Sequence, residues 1–589
     1  MQKVQTDSRI IINMFMKLLP VQIILVAIGS LNGIIDGAMA SRLIGSEALT
    51  ATGLFTPIVT FMNMVNAVMV GGASILCGQF MGKNQVNRTK SIFTLDILMV
   101  SGVGLFLTVL CLILPGGVSY FLGARGEMIG KLSEYIRGYT LGFLASMLAS
   151  QLSSFLQMER QEHLTYVAIG VMLFMNAGLD YLLVGVMGLG MFGLGLATTI
   201  SNWFFLMVQA IYYFTPKAII RFDVHSVEKP DAKQILLIGF PGALSQACQM
   251  VRGLYLNHAI LRFAGEEGMS AYAAISTFGG LYFATIAGVA ASSRILISIY
   301  SGEEDRAGLI AIMKAALHQG MGLAVVVNAI FIALAVPITN IFYHDPTTEV
   351  YRLAVWGFRL FPISMVLACF NLIFCNCFQC TNKVRMVNVL SLVDGLLGTV
   401  FTAAILYPLL GGMGIWVTQV VNGFYAIIII IVHAWVVNKK CALDTESLMT
   451  LDKNLGVSER NRVDITIRSV EEVVHTSEQI IAFCRRHRID PKRSYYAGLC
   501  FEEMAGNIVE HGFHDGKKHS VDIRVVYKGK GELLMRLRDD CKPFNPQERA
   551  ELFEPADITH NIGLRMVSRI AKSMNYQNML GLNVLTLQI

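Results

Sequence analysis

Long runs of apolar residues occupy most of the chain and constrain its fold more than any other feature. Twelve runs are each long enough to cross the hydrocarbon core of a membrane as a helix. They lie near residues 10–35, 49–76, 92–114, 132–156, 164–186, 190–214, 233–262, 269–298, 310–336, 350–378, 386–408 and 412–437. From residue 438 onwards the sequence regains the charge content of a soluble protein. The sequence therefore predicts a polytopic α-helical membrane domain over 1–437, a linker over 438–460 and a soluble domain over 461–589.

Composition agrees with this division and excludes several classes of protein. Only 15% of the 589 residues are charged and the mean hydropathy is +0.55, values outside the range of soluble proteins. The net charge of +6 comes with no block of basic residues, so we expect no nucleic-acid partner. The 11 cysteines lie mostly in apolar runs. This position indicates buried thiols rather than disulfides. Cys375, Cys377 and Cys380 have a spacing typical of a metal site, but they also lie in an apolar run and are interpreted as buried thiols.

Basic residues are distributed unevenly between the loops that connect the apolar runs. Alternate loops hold most of the loop lysine and arginine, namely GKNQVNRTK, MERQEH, TPKAIIRFDVHSVEKPDAK, SGEEDRAG, TNKVR and NKK. Because basic loops stay on the cytoplasmic side, we expect a multi-pass protein of the cytoplasmic (inner) membrane with both termini in the cytoplasm. Membrane lipid then surrounds the helices, and the soluble domain has access to ATP.

The membrane domain contains an internal repeat with an offset of 221 residues. Pro20 corresponds to Pro241 at this offset, and two glycine pairs near the end of each copy follow it as well. Six helices per copy is an even number, so both copies enter the membrane in the same direction and pair about an axis along its normal. The repeat therefore predicts two six-helix lobes, lobe 1 at about 10–214 and lobe 2 at about 233–437, with the central cleft of a transporter between them.

The two copies differ in the polar residues that lie inside the apolar runs. Three residues of lobe 1 have counterparts in lobe 2 that are not acidic: Asp36 lies opposite Asn257, Asn176 opposite Leu397, and Asp180 opposite Phe401. An ionisable group in hydrocarbon is costly unless it is paired or hydrated, and such groups usually mark ion pathways. Asn176 and Asp180 are four residues apart and share one helical face. We therefore predict a cation site; carboxylates that are only hydrogen-bonded within the bundle are the alternative.

Two coupling ions suit these residues. Burial disfavours the charged form of a carboxylate, so a buried carboxylate can take up and release H⁺ as its surroundings alternate between dry and wet. Two carboxylates and an amide oxygen are also suitable hard ligands for Na⁺. The residues leave the choice between H⁺ and Na⁺ open.

Three stretches of the membrane domain carry a resemblance to a known family. They are LLPVQIILVAIGSLNGIIDGAMASRLIGSEALTATGLFTPI, MNAGLDYLLVGVMGLGMFGLGLATTIS and GFPGALSQ. In this order they resemble the multidrug and toxic compound extrusion (MATE) family over most of residues 10–437. The resemblance implies a cation-coupled antiporter that exports small organic compounds by alternating access, with Asp36, Asn176 and Asp180 as its cation-coupling residues.

Lobe 2 carries two charged residues deep inside its apolar runs. Arg252 lies in CQMVRGLYLN and Asp394 in LSLVDGLLG. They form a buried structural pair, which is the preferred interpretation, or they line a substrate cavity and select charged compounds.

The soluble domain alternates strands and helices. Apolar periodicity predicts strands at VDITIRS, VDIRVVY, ELLMRLRDD and NVLTLQI, and helices at HTSEQIIAFCRRHR, from Pro491 to His511, and at GLRMVSRIAKSM. This order predicts an α/β sandwich.

One helix of this domain carries polar groups suited to nucleotide chemistry. Glu503, Asn507 and His511 recur every four residues along one helical face. An asparagine oxygen can bind Mg²⁺, and a nearby glutamate can orient a water or accept a hydroxyl proton. The spacing alone is weak, because many solvated helices contain it. Three other segments strengthen the nucleotide interpretation: RDDCKPFNP at the end of a strand, NIGLRMV at the start of a helix, and the closing strand. Backbone amides at the start of a helix can receive phosphate.

This arrangement resembles the GHKL ATPases, in particular the serine kinases related to anti-sigma factors. The resemblance implies ATP and Mg²⁺ as cofactors, with Glu503 as the catalytic or water-orienting acid and Asn507 as the Mg²⁺ ligand. It also implies that Asp539 contacts the adenine amino group, Gly563 approaches the phosphates and Thr586 lies near the base. His511 is interpreted as closing the helix end.

Two residues depart from the GHKL pattern. Cys541 stands where the family usually has a glycine beside the adenine, and Asn561 replaces the first glycine of the usual G-x-G. A Cβ atom restricts the backbone freedom of glycine, although asparagine tolerates left-handed geometry. We expect nucleotide binding weakened by these changes. The sequence has no P-loop, and nothing in it indicates that ATP hydrolysis drives transport.

Three functional hypotheses follow. The first is a secondary transporter whose cytosolic tail binds ATP and senses nucleotide or signals the transport state. The second is a membrane-held serine kinase or partner-switching regulator that acts on a cytosolic regulatory protein, with the helices as its sensor. The third is a tail that has lost nucleotide binding and only binds protein.

Overall fold

The computed structural model describes most of the chain. The described residues are 11–20, 22–24, 26–27, 44, 46–83, 85–159, 161–215, 218, 220–440, 443–452, 455–514, 519–529, 531–546, 562–579 and 582–589. Within them, ten apolar helices are long enough to cross a membrane. Of the two predicted runs outside these ten, 10–35 lies partly outside the described residues, and 132–156 forms two shorter helices that meet near Thr140. The predicted polytopic helical fold is confirmed.

The membrane helices are numbered here in chain order. In the described part of lobe 1, residues 11–20 and 22–24 are helical and precede α1 (Ser46–Gly82), α2 (Val86–Ile113), α3 (Pro115–Phe121), α4 (Glu127–Tyr139), α5 (Gly142–Met158), α6 (Glu162–Leu179) and α7 (Gly190–Tyr213). Lobe 2 contains α8 (Lys229–Gly302), α9 (Arg306–Ala315), α10 (Met321–Ala333), α11 (Ala335–Phe342), α12 (Glu349–Cys380), α13 (Val384–Leu392), α14 (Gly398–Leu410) and α15 (Gly412–Asn438).

Two irregularities divide these helices. The long helix α8 contains two of the predicted spans, and the chain turns between them at Gly265, whose φ of 64° suits a residue without a Cβ atom. Three π-helical segments interrupt other spans and shift the faces that the following residues present. They are Asp180–Val186 after α6, Ala316–Gly320 between α9 and α10, and Val393–Leu397 between α13 and α14.

Four glycines bring the lobes into direct backbone contact at one end of the bundle. A Cβ atom on Gly72 or Gly82 in α1 would collide with the carbonyl oxygen of a residue in α8, and a Cβ atom on Gly239 or Gly302 in α8 would collide with a carbonyl oxygen in α1. Gln79 also donates a hydrogen bond to the carbonyl of Cys380, at 2.8 Å. We call these four residues the glycine seam. The lobes are closed against each other along it.

We expect Gly302→Ala to destabilise the closed arrangement. The new methyl group would overlap the carbonyl oxygen of Gln79, and overpacking of this kind typically costs about 1–3 kcal/mol. Gly322→Ala is the matched control, because nothing lies within 4 Å of a Cβ atom at Gly322. Thermal unfolding of the detergent-solubilised chain should show a lower midpoint for the first variant alone. Equal midpoints would contradict the close contact.

The soluble unit is a five-stranded antiparallel sheet with helices on one face. Its strands are β1 (Arg462–Ile467), β2 (Val521–Gly529), β3 (Glu532–Asp539), β4 (Ser573–Met579) and β5 (Leu582–Gln588), in the order β1-β2-β3-β5-β4. Its helices are α17 (Glu471–Arg486), α18 (Pro491–Gly512) and α19 (Ile562–Ile570), and a short helix α16 (Thr445–Met449) precedes them in the connection. The predicted α/β architecture is confirmed. One detail was wrong: the last helix ends at Ile570, and the residues after it form β4, which was not predicted.

Alternation along the strands gives the sheet two different faces. The inner face is apolar and packs against α17 and α18 through residues such as Ile523, Met535 and Leu587. The outer face carries Arg524, opposite Arg536 in the register of β2 and β3. This outer face contacts lobe 2 beside the glycine seam. We call the end of the membrane bundle where this contact lies the docked end.

The connection between the units is also fixed to lobe 2. Arg306, at the start of α9, forms an ion pair with Glu446 at 2.9 Å and donates to the carbonyl of Asp452 at 3.0 Å. Lys383 donates to the carbonyls of Met449 and Thr450. Among the described residues, every hydrogen bond and ion pair from the connection and the soluble unit to the membrane unit ends on lobe 2.

Candidate functional site

Asn176 and Asp180 lie together inside lobe 1. Asn176 is 1% exposed and Asp180 is 0% exposed, although both belong to a span whose other side faces outward, as the exposed Phe174 shows. Among the described residues, neither polar atom of the Asn176 side chain has a hydrogen-bond partner. A buried amide without partners is costly, so a group that binds there gains free energy. The third predicted member, Asp36, lies outside the described residues.

Asp180 begins a π-helical segment, Asp180–Val186. π-helical segments inside α-helices are frequent at functional sites, because the extra residue in the turn redirects the side chains that follow. The sequence places Asp180 one turn after Asn176, and the structure keeps both inside the lobe. The pair offers carboxylate and amide oxygens, which are suited to H⁺ exchange or to binding a hard cation.

The counterparts of this pair in lobe 2 do not occupy equivalent environments. Leu397 is 50% exposed and Phe401 is 63% exposed, so both face outward. The π-helical segment of lobe 2, Val393–Leu397, lies earlier in the repeat than that of lobe 1, and the faces of the two helices are shifted accordingly. The constant offset therefore identifies related positions in the chain but not related orientations.

Lobe 2 has a different polar centre, at Asp394. The Asp394 carboxylate accepts hydrogen bonds from Asn371 Nδ2 at 2.7 Å and from Asn422 Nδ2 at 3.1 Å. Asn422 also donates to the Asp394 carbonyl at 2.9 Å. Arg252 interacts electrostatically with Asp394, although no direct ion pair joins them among the described residues, so the buried structural pair stays a prediction. The two amides that hold the carboxylate directly were not foreseen from the sequence.

Asp96 was not singled out from the sequence and is a further buried acid of lobe 1. It lies in α2 with no exposed surface, and both carboxylate oxygens lack a hydrogen-bond partner among the described residues. A single aspartate within the apolar run at 92–114 was the signal that could have found it.

The soluble unit contains a cavity of about 530 Å³ between α18 and one end of the sheet. Asn507 and His511 line it from α18, and Asp539 lines it from the end of β3. Its apolar wall includes Phe544, Leu564 and Leu585, among other residues. A cavity with apolar walls and few polar groups is typical of a small-molecule site. His511, which was interpreted as closing the helix end, lies in the last turn of α18 and also faces this cavity.

Asn583 holds Asp539 in place. Its Nδ2 donates to Asp539 Oδ1 at 2.7 Å, and its Oδ1 accepts from Tyr576 Oη at 2.7 Å and from Asn578 Nδ2 at 2.8 Å. The backbone amide of Cys541 donates to the same Asp539 oxygen at 3.0 Å. Burial raises the pKa of Asp539 above its usual value, and these two hydrogen bonds partly oppose the shift.

Thr586 does not share the cavity with Asp539. It pairs with Arg536 in the register of β3 and β5, whereas Asn583 pairs with Asp539. Because side chains alternate between faces along a strand, Thr586 lies on the outer face of the sheet. Asn583, rather than Thr586, is the β5 residue beside the predicted adenine contact.

We expect Asn583→Ala to loosen the β3 and β5 strand ends around Asp539. The change removes the shared amide, and with it the hydrogen bonds to Asp539 and from Tyr576, at an expected cost of about 1–3 kcal/mol. Hydrogen exchange of the full chain should become faster in β3 and β5. Asn461→Ala, before the distant strand β1, serves as the control and should leave this exchange unchanged. Unchanged exchange in Asn583→Ala would contradict the role of Asn583.

Glu503 lies against the start of α19. A Cβ atom on Gly563 would collide with the Glu503 carboxylate, so the predicted acid and the predicted phosphate-facing glycine are in contact. Asn561 and the rest of residues 547–561 lie outside the described residues. The described part of the site therefore brings Glu503, Asn507, Asp539 and Gly563 to one end of the unit.

The Cys541 substitution is accommodated without a strained backbone. Cys541 is not among the described residues with positive φ. Gly512 makes room for the thiol, because a Cβ atom at Gly512 would lie 2.7 Å from Cys541 Sγ. The remaining groups suit a nucleotide: an amide and an acid for Mg²⁺ and phosphate chemistry, and a buried carboxylate for a base amino group. A separate group of potential metal-ligand atoms, on His519, Asp540 and Cys541, lies within 4.8 Å.

Comparison with protein families identifies both units. The MatE family model matches residues 22–182 and 241–404, which together make up more than half of the chain. The model for the histidine kinase-like ATPase domain matches residues 466–589.

Similar proteins and structures cover the membrane unit. The multidrug export protein MepA of Staphylococcus saprophyticus is 22% identical over 375 residues, which cover 62% of this chain and 82% of MepA. MepA of Staphylococcus aureus is 20% identical over 436 residues, covering 72% and 94%. A crystal structure of MATE in complex with MaL6 has a TM-score of 0.66 at 21% identity and covers 71% of this chain and 94% of its own. An outward-facing multidrug resistance MATE transporter also has a TM-score of 0.66, at 20% identity, covering 73% and 97%.

Proposed function

This chain belongs to the MATE family of transporters, and we propose that it is an antiporter that exports small organic compounds in exchange for H⁺ or Na⁺. The observation that carries the proposal is the burial of Asn176 and Asp180 inside lobe 1, at the start of a π-helical segment. The names of the MepA relatives support organic compounds as substrates.

In the proposed mechanism the lobe 1 site binds and releases the coupling ion, because alternating access changes its surroundings between enclosed and hydrated. In an enclosed state the carboxylate binds H⁺ or Na⁺ to compensate its charge, and in a hydrated state it releases the ion. If substrate and ion favour different states of the cleft, the gradient of one moves the other. Asp36 joins the site as the third proposed ligand, and Arg252 and Asp394 are proposed to line the substrate cavity from lobe 2.

We assign the docked end to the cytoplasm, because the loops with most of the lysine and arginine lie there. The closed glycine seam then shuts the cytoplasmic side of the cleft. Export requires an alternation in which the seam opens to admit substrate and closes before release on the other side.

The soluble unit is proposed to bind ATP with Mg²⁺ and to regulate transport. Asn507 would hold Mg²⁺, Glu503 would orient a water or accept a proton, and Asp539 would accept a hydrogen bond from the adenine amino group. Bound Mg²⁺ would neutralise phosphate charge. The resemblance to ATP-binding domains supports a role in sensing nucleotide. ATP is not proposed to drive transport, because the proposed lobe 1 site couples transport to an ion gradient.

The direct test is transport by the purified full chain in proteoliposomes. A fluorescent organic cation and a fluorescent organic anion are loaded in turn, and an H⁺ or a Na⁺ gradient is imposed. We expect one of the gradients to drive movement of at least one probe. Absence of driven movement with both ions and both probes would overturn the proposal.

A further inference from the structure

Five charged residues, all buried or largely buried, join the soluble unit to lobe 2. Arg524, Arg536 and Arg538 come from the outer face of the sheet, and Glu303 and Asp305 come from the loop between α8 and α9. We call these residues the interdomain cluster. Arg524 lies opposite Arg536 in adjacent strands, and like charges at such positions repel each other. The outer face therefore requires acidic partners, and the lobe 2 loop supplies them.

Several short contacts connect the residues of the interdomain cluster. Arg536 Nη1 lies 2.7 Å from Glu303 Oε2, and Arg538 Nη2 lies 2.8 Å and 2.7 Å from the two oxygens of the same carboxylate. Arg524 Nη2 lies 2.8 Å from Asp305 Oδ1. Burial by itself raises the pKa of Asp305, but Arg524 and Arg536 outweigh it and hold the pKa at about 2. Asp305 is therefore charged at neutral pH.

The cluster is suited to two states, joined or separated. The Glu303 and Asp305 side chains are 2% and 1% exposed, so neutralising the arginines while the surfaces stay in contact would leave buried charge without compensation. A partial displacement loses the bidentate contact between Arg538 and Glu303 and gains no hydration. Asp464 on β1 lies 2.5 Å from Arg524 Nε and also pairs with Arg462, so within the cluster it compensates Arg524 but neither Arg536 nor Arg538.

On the lobe 2 side, the cluster adjoins the glycine seam. Glu303 directly follows Gly302, whose backbone abuts the Gln79 carbonyl of lobe 1. Tyr300, one turn earlier in α8, accepts a hydrogen bond from Arg538 Nη1 at 2.6 Å. Asp305 also caps α9 by accepting a hydrogen bond from the Gly308 amide at 3.0 Å. The soluble unit thus holds the end of one lobe 2 helix and the start of the next, at the place where the lobes meet.

On the soluble side, the cluster adjoins the nucleotide cavity. Arg538 and Asp539 are consecutive in β3 and face opposite sides of the sheet. Arg538 binds Glu303 on the outer face, and Asp539 lines the cavity on the inner face. The contact with lobe 2 therefore fixes the strand end from which Asp539 projects.

We propose that the interdomain cluster couples the nucleotide cavity to the gate at the docked end: joined, it favours the closed glycine seam and orders Asp539 for ATP. This inference deepens the proposed regulatory function and rests on it. Since coupling between two sites is reciprocal, ATP with Mg²⁺ stabilises the closed seam by the factor by which the closed seam tightens ATP binding.

The test uses the full chain in detergent and the native Cys380 as a reporter. Cys380 is buried beside the seam: its carbonyl accepts from Gln79 of lobe 1, and its thiol donates to the Arg294 carbonyl of lobe 2. Alkylation of Cys380 by a maleimide is followed by mass spectrometry, with and without a non-hydrolysable ATP analogue and Mg²⁺. We expect the nucleotide to slow alkylation about fivefold or more, the lower end of typical coupling. An unchanged rate in the wild type overturns the inference, whatever the variants do.

Charge-neutral variants test the cluster itself. Glu303→Gln combined with Asp305→Asn should remove the nucleotide effect on Cys380 and weaken nucleotide binding about fivefold or more. Arg536→Met approaches the contact from the sheet and should act in the same direction. Glu349→Gln combined with Asp345→Asn, at exposed positions at and just before the distant start of α12, is the matched control and should behave as the wild type. Retention of the nucleotide effect in both cluster variants overturns the inference.

Failure of the inference is distinguishable from failure of the proposed function. If ion-driven transport is found and the wild type binds ATP, but nucleotide leaves Cys380 unprotected, only the coupling is wrong. If nucleotide protects Cys380 but no gradient drives transport, the coupling stands and the antiport proposal is wrong.

Discussion

Asp180→Asn is expected to reduce ion-driven efflux to the level of protein-free liposomes. The side chain keeps its size, so the packing of lobe 1 is preserved. An amide, however, neither takes up and releases H⁺ near neutral pH nor supplies a negative charge to Na⁺. The measurement is probe efflux from proteoliposomes under an imposed gradient, with equal amounts of folded protein verified by thermal unfolding.

Two controls separate coupling from general damage. Asp345→Asn changes the same chemical group in an exposed loop and should leave efflux unchanged. Binding of the fluorescent probe to the detergent-solubilised Asp180→Asn protein should persist, because the variant alters the ion site rather than the cavity. Gradient-driven efflux at the wild-type rate in Asp180→Asn would remove this residue from the ion site.

Asn507→Ala is expected to abolish the Mg²⁺-dependent part of ATP binding. Loss of a metal ligand should raise the Kd by about tenfold or more, which corresponds to about 1.4 kcal/mol. In EDTA, where no Mg²⁺ contact exists, the variant and the wild type should bind ATP alike. Titration of ATP into the full chain, with Mg²⁺ and with EDTA, measures both quantities.

Glu510→Ala is the control for this variant. It lies three residues further along α18, is exposed and does not line the cavity. It should bind ATP as the wild type does. Equal Mg²⁺-dependent affinity in Asn507→Ala and the wild type would contradict the assignment of Asn507, and no ATP binding by the wild type would favour a tail that only binds protein.

Much of the fold could be predicted because membrane and soluble segments obey different local rules. Apolar run length located the spans, and alternation along the strands located most of the sheet. The strand β4 was not predicted, because its sequence SMNYQNM has little apolar alternation. The pattern therefore did not indicate that the preceding helix ends before it.

The site was less accessible to sequence reasoning, for geometric reasons. The repeat offset relates Asp180 to Phe401, but the shifted π-helical segments turn these residues to different surroundings, and a π turn leaves no clear mark in the sequence. The amides around Asp394 come from other helices, so spacing along its own helix could not reveal them.

The cluster that joins the two units shows a similar limit. Arginines at alternate strand positions indicate a polar outer face, and the loop SGEEDRAG is visibly acidic. Nothing in either pattern states that the two surfaces meet, because contacts between distant segments depend on the packing of whole units. Thr586 illustrates the same point in reverse: its register with Arg536 assigns it to the outer face of the sheet instead of the cavity.

The exchange of ion for substrate at the lobe 1 site is tested most directly by measuring ion release on substrate binding. Purified chain in weakly buffered detergent solution, loaded with ²²Na⁺ in a parallel sample, is mixed with the transported probe, and H⁺ and Na⁺ release are recorded. The account predicts that one of the two ions is released by the wild type and that Asp180→Asn releases neither. Binding of the probe without release of either ion, or undiminished release from Asp180→Asn, would contradict it.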